Sequence, residues 1–184
     1  MNVNMSMKTI VLVYGFTAGA ILAAMMLLTL PFMHAFSNET GMVVGYTTMV
    51  LAFLLIFFGV RSYRDKVGGG QVKFLKALGV GVLIGVLASA CYVATWEAIY
   101  FRGQNDFIEK YQAHEIESLR KSGATDAQIA AKQAELQKMA VMYHNPIFNS
   151  AITFMEPLPV AIVFALVSAG VLSRRRKESA LPVA

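Results

Sequence analysis

Four stretches of this chain are almost without charge, and long polar or glycine-containing segments separate them. They run from about 9 to 33, 42 to 60, 72 to 101 and 147 to 172. Each is apolar on every face, with no alternation at helical spacing that would divide it into a wet side and a dry side. A helix needs about 20 such residues to cross a hydrocarbon core of about 30 Å, so the pattern predicts four transmembrane helices.

The boundaries carry their own signals. Lys8 precedes the first run as it would in a secretory leader. The apolar stretch exceeds the usual leader core, however, and no small-residue cleavage pattern follows, so the segment reads as a retained span. Pro31, then Ser37, Asn38, Glu39 and Gly41, predict a short turn before the second span. That span should stop at Arg61-Ser62-Tyr63-Arg64-Asp65-Lys66, followed by Gly68-Gly69-Gly70. Lys73 and Lys76 open the third span from positions where their amines can snorkel to the surface. The fourth contains Glu156-Pro157-Leu158-Pro159. Each proline lacks an amide and disturbs the carbonyl four residues back, which predicts a kink between about 153 and 159.

Between the third and fourth runs the character changes. Residues 102 to 146 hold six basic and six acidic side chains and little apolar continuity, which places them outside the membrane. They still read as helical. Ile108, Tyr111, Glu115 and Leu119 share one face of a first helix that Ser122-Gly123 should terminate. Thr125-Asp126-Ala127-Gln128 has the capping-box form, and Ile129, Leu136 and Tyr143 then recur every seventh residue, with Met139 and Ala140 between. An antiparallel helical hairpin over about 103–145 follows, and Asn145-Pro146 should end it or bend it into the last span. The expected fold is therefore all-α: a single membrane domain over 1–184, a four-helix transmembrane bundle with an extramembrane helical hairpin between spans three and four.

Composition agrees. The chain is 57% hydrophobic and 15% charged, against about a quarter charged for a soluble domain. The net charge of +5 does not point to nucleic acid, because the cations cluster at the ends of the apolar runs, where topology accounts for them. Lys8, five cations between 61 and 76 and four in the tail from 174 to 177 fall on one side of the membrane, ten in all. The opposite side receives six, all in the long loop and accompanied by six acids. The positive-inside rule then puts both termini in the cytoplasm and the hairpin outside. In a bacterium this is a multi-pass protein of the cytoplasmic (inner) membrane.

Small residues recur every fourth position in three spans: Gly15, Gly19 and Ala23; Ala77, Gly81, Gly85 and Ser89; Ala161, Ala165 and Ala169. In lipid such stripes allow close backbone approach, and three helices carrying them suggest contacts within the bundle more than a homodimer face. Oligomerisation stays open.

Only two acids lie inside apolar runs, Glu97 and Glu156. Burying an ionised carboxylate is costly without a partner, so these are the candidate intramembrane polar site. Both belong to the outer half of the membrane by topology and could meet; hydration at the interface, or bonds to Arg102, Trp96 or backbone freed by the prolines, is the plainer expectation. Arg61, Arg64, Asp65, Lys73, Lys76, Arg174, Arg175 and Arg176 are candidates for a cytoplasmic turn or for lipid head-group contacts, although simple anchoring explains the same cations and is preferred. The lone Cys91 excludes an intrachain disulfide. His34, His114 and His144 have no second ligand at helical spacing, so no metal site is expected. No nucleophile elbow, phosphate loop or dinucleotide fingerprint occurs, so neither a catalytic residue nor a cofactor is assigned.

Phe57-Phe58-Gly59-Val60-Arg61-Ser62-Tyr63-Arg64-Asp65, with Gly69-Gly70 and Val72-Lys73-Phe74-Leu75-Lys76-Ala77-Leu78, resembles the signature of a bacterial membrane family, the domain-of-unknown-function family numbered forty-one ninety-nine. The likeness extends to the aromatic end of the third span (Tyr92, Trp96, Tyr100, Phe101), the charged hairpin and the proline-containing start of the fourth. It implies the four-span fold but no activity, and so no functional residues to transfer. Within it, Arg61 or Arg64 paired with Asp65 or with a lipid phosphate would fix the turn. The leading expectation is a non-enzymatic interaction or accessory component whose partners are the bilayer and a protein met through the 103–145 hairpin. The alternative is a small proton-linked transporter or channel using Glu97 and Glu156.

Overall fold

The computed structural model describes residues 6–29, 38–103 and 107–173. Seven helices are formed there: α1 (Met7–Thr29), α2 (Asn38–Lys66), α3 (Phe74–Gly103), α4 (Phe107–Lys121), α5 (Asp126–Tyr143), α6 (Pro146–Met155) and α7 (Leu158–Leu172). No strand occurs among the described residues. Four helical segments are long and apolar enough to cross a membrane: Met7–Thr29, Thr40–Lys66, Phe74–Gly103 and Pro146–Leu172. Pro31, His34, Ser37, Arg174, Arg175, Arg176 and Lys177 lie outside the described residues.

The chain divides into two compact units, Met1–Tyr92 with Pro157–Ala184, and Val93–Glu156. The first unit is a bundle of α1, α2, the first part of α3, and α7. Its core contains Phe53, Ile56, Ile84, Ala161 and Ala165, all essentially without solvent exposure. Glycines and alanines set the helix spacing. A methyl group at Gly15 would lie 2.7 Å from Leu87 Cδ2, and one at Gly19 2.5 Å from Cys91 Cβ, so α1 runs alongside α3 in the same direction. Gly81 meets Ala165 and Gly85 meets Ala161, which makes α3 and α7 antiparallel. The small-residue stripes thus join helices of one bundle, where contact distance does the work that hydrophobicity cannot do in lipid. Large apolar side chains such as Leu12, Leu51 and Val163 point outward, as expected where hydrocarbon is the solvent.

α2 corrects the sequence reading. The apolar run ends near Val60, but the helix continues through Arg61–Lys66 and stops only at the glycines. Charge ends the hydrophobic stretch without ending the hydrogen-bond ladder; the stop comes from Gly69 and Gly70 at φ of +60° and +85°, a conformation side chains disfavour. The amides of Gly68 and Gly70 cap the carbonyls of Tyr63 and Arg64 at 3.0 and 2.9 Å.

In the second unit, α4 and α5 form the expected hairpin. α4 ends in a Schellman turn: Ala124 N–H bonds Leu119 O and Gly123 N–H bonds Arg120 O, both at 3.1 Å, with Gly123 at φ +79°. Thr125 and Gln128 form the reciprocal capping box that starts α5. The inward face of α4 keeps Ile108, Glu115 and Leu119 of the expected one, buried or half-buried, and departs from it at Tyr111. Ile108 and Ile116 are buried and Gln112 donates to the Leu136 carbonyl, whereas Tyr111 is 40% exposed. Half-buried Gln112 takes the place between Ile108 and Ile116 at a spacing of four, which a search for apolar letters misses because it is a glutamine. On α5, Leu136 and Ala140 are buried as predicted, but Met139 faces out.

The proline-bearing helix is interrupted where expected: α6 ends at Met155 and α7 begins at Leu158. Asn145 ends the hairpin by capping α6, its Oδ1 accepting from the amides of Ile147 (2.9 Å) and Phe148 (3.4 Å), with Pro146 at the first helical position.

Candidate functional site

A cluster of side-chain hydrogen bonds lies in the second unit, where the end of α3, the start of α4, the end of α5 and α6 converge. α3 presents Trp96, Glu97 and Tyr100 from adjacent turns. α6 presents Asn149, Ser150 and Thr153 at the three- and four-residue spacing that places side chains on one helical face. The Trp96 indole N–H donates to Asn149 Oδ1 at 3.0 Å, and the Thr153 hydroxyl donates to the same oxygen at 3.3 Å. The Asn149 amide group in turn donates to the Tyr143 carbonyl at 3.1 Å. Asn149 is fully buried, so both ends of its side chain are satisfied away from water.

Beside it runs a chain of three residues from three elements. Glu109 on α4 contacts His144 Nε2 at 2.8 Å, and His144 Nδ1 lies 3.0 Å from the Tyr100 hydroxyl. A carboxylate only accepts, so Nε2 carries a proton; in the neutral ring Nδ1 then accepts from Tyr100 O–H. The Tyr100 side chain is fully buried, while His144 and Glu109 are about half exposed. Rings complete the cluster: Trp96 meets Phe107 edge-to-face at 4.9 Å, and Tyr100 meets Tyr143 in the same manner at 5.4 Å. Burial pushes the Tyr143 phenol up to about 12, against the opposing effect of hydrogen bonds with Trp96 and Thr153.

Of the two acids singled out in the sequence, Glu97 is half-buried and accepts a 2.8 Å hydrogen bond from the Ser150 hydroxyl. Glu156 is exposed at the C-terminal cap of α6, beside the helix break, and its charge acts on Tyr143. Both fall in the same compact unit. Arg61, Arg64, Asp65, Lys73 and Lys76 fall in the other one. Arg64 Nε donates to Asp65 Oδ1 at 2.7 Å, and Arg61 Nε lies 3.7 Å from Asp65 Oδ2. Lys73 and Lys76 stand exposed at the start of α3.

Sequence reading missed Tyr100, Glu109, His144 and Asn149 as a group. Asn149 carried a signal, being a polar residue in an apolar run whose buried amide demands partners. The Glu109–His144 pair, 35 residues apart, carried none. Chemically the cluster offers a proton-carrying hydrogen-bond chain and a tether between helices. Among the described residues no three His, Cys, Asp or Glu side chains could share a metal ion. Along the hairpin, α4 and α5 leave an open groove floored by Ile116 and Leu136 and flanked by Glu109, Glu117, Arg120 and Gln133.

A family model described as "Protein of unknown function (DUF4199)" matches residues 13–174, which takes in both units and most of the chain. No curated protein and no solved structure matches the chain.

Proposed function

We propose that this chain, which belongs to the DUF4199 family of proteins of unknown function, is a multi-pass membrane component that presents its α4–α5 hairpin to a protein partner and carries out no chemistry of its own. We place it in the bacterial inner membrane with both termini cytoplasmic, a reading supported by the ten cations flanking the spans on one side.

The observation that supports the partner role is the anchoring of the hairpin. Buried Trp96–Asn149 and the Tyr100–His144–Glu109 chain fix it to the ends of α3 and α6, so an exposed charged element is held in one geometry. A preorganised surface loses little conformational entropy on binding, whereas a floppy loop would lose much of its interaction energy to ordering. Photo-crosslinkers at Ala130, Ala134 and Gln137 on the exposed side of α5 should capture one discrete product in cells, and a pull-down through a tag at the N-terminus should recover the same product from the intact chain but not from one lacking residues 105–143. Recovery of the same product after deletion, with the variant still inserted in the membrane, would defeat the proposal.

A second reading, a proton-linked transporter or channel, is favoured by Glu97, a half-buried acid bonded across helices to Ser150, and by the helix break beside Glu156. Liposome flux of protons or solute that falls with Glu97→Gln plus Glu156→Gln would support it; flux unaffected by both substitutions would remove it.

A further inference from the structure

The turn between α2 and α3 gathers five cations, Arg61, Arg64, Lys66, Lys73 and Lys76, around a single acid, Asp65. Interleaved with them are exposed apolar side chains: Val67 and Phe74 at 41% and Leu75 at 78%. The antiparallel register of the two helices, in which Gly59 meets Ile84 and Ile56 meets Gly81 and Gly85, brings the start of α3 level with the end of α2. Apolar and cationic groups mixed at the end of two apolar helices match a bilayer boundary, with hydrocarbon below and anionic head groups above.

The arrangement of Asp65 is more specific than a charge count. It engages Arg64 and Arg61 each through Nε, at 2.7 and 3.7 Å, one on each carboxylate oxygen. A guanidinium held by its Nε edge still presents its Nη edge, the edge suited to bidentate pairing with phosphate. Were the cations merely anchors, an acid in their midst would only weaken them. We propose that Asp65 is a positioning residue that holds Arg61 and Arg64 as a double fork for the head-group phosphate of an anionic phospholipid, with Lys73 and Lys76 supplying the net charge that selects it over a zwitterionic one.

Charge counting and fork geometry predict opposite results for Asp65→Ala. The substitution raises the net charge by one, so simple attraction would increase anionic lipid retention by roughly fivefold; loss of positioning decreases it. The full chain, purified into micelles holding equal phosphatidylglycerol and phosphatidylcholine, would be examined by native mass spectrometry for the ratio of retained lipids. We expect that ratio to fall at least about threefold in Asp65→Ala, and also in Arg61→Lys with Arg64→Lys, which keeps every charge but removes the forks. Asp65→Glu should restore part of it. Unchanged or increased phosphatidylglycerol in Asp65→Ala overturns the proposal. If that variant does not fold, an unchanged ratio in the double lysine variant overturns it on its own. Displacement of the lipid by millimolar inorganic phosphate would identify a free-anion site and overturn the lipid assignment.

Discussion

The indole of Trp96 and the side-chain oxygen of Asn149 form a hydrogen bond of 3.0 Å between residues 53 positions apart, both of them buried. It ties the end of α3 to α6 and stands where the hairpin leaves the apolar helices.

Asn149→Leu removes the oxygen that accepts from the Trp96 N–H and the Thr153 hydroxyl and leaves both to the Tyr143 phenol alone. A buried donor deprived of an acceptor costs about 1–3 kcal/mol, so thermal unfolding in detergent should shift down accordingly. Trp96→Phe, which deletes the donor as well, should restore part of the loss in the double variant. Strict additivity of the two losses would show that they do not act through this bond.

At the α1–α3 contact, Gly19→Ala brings a methyl group to 2.5 Å from Cys91 Cβ. Overpacking of this kind costs about 1–3 kcal/mol. Gly79→Ala, where a methyl group meets nothing within 4 Å, should be neutral or slightly stabilising because alanine is the better helix former. Cys91→Gly should relieve Gly19→Ala, while Cys91→Ala, which retains the Cβ, should not. Paired melting curves in detergent distinguish these outcomes.

The hairpin turn rests on local chemistry. Gly123→Ala places a side chain at φ +79°, and Thr125→Ala removes the capping hydroxyl of α5. Each should weaken the hairpin by about 1 kcal/mol. Faster amide exchange confined to α4 and α5, and faster proteolysis between 121 and 125, would register the change; unaltered exchange would count against both caps.

Tyr143 gives a pH dependence of defined sign. Its folded-state value is raised to about 12 from a usual value of 10.0, chiefly by burial, so the neutral phenol is favoured by folding. The stabilisation is complete below the unfolded value and is lost as pH climbs through the folded one, a window from about 10 to about 12. In Tyr143→Phe the decline of melting temperature across that window should be shallower than in the parent, and phenolate absorbance should lose a component that titrates near about 12. An identical decline in both proteins would contradict the assignment.

Much of this architecture was legible in the letters alone. Solvation decides it: charge-free runs longer than about 20 residues have few stable places other than hydrocarbon, so four spans followed from 57% apolar composition and its clustering. The same holds for features set by a few neighbouring residues, such as the Thr125–Gln128 capping box, the turn at Gly123 and the interruption at Pro157, because their hydrogen bonds and steric limits reach no further than one turn. The pairing of Asp65 with Arg61 and Arg64 was likewise within reach, being local in sequence.

What only the tertiary structure decided are relationships that depend on which helix faces meet. Gln112 rather than Tyr111 lies inside the hairpin, Gly19 rests on Cys91, and Glu109, His144 and Tyr100 come from three elements to form one chain. A polar residue in a sequence announces a need for partners without naming them. The partners are fixed by helix rotation and register, which respond to the packing of many side chains at once.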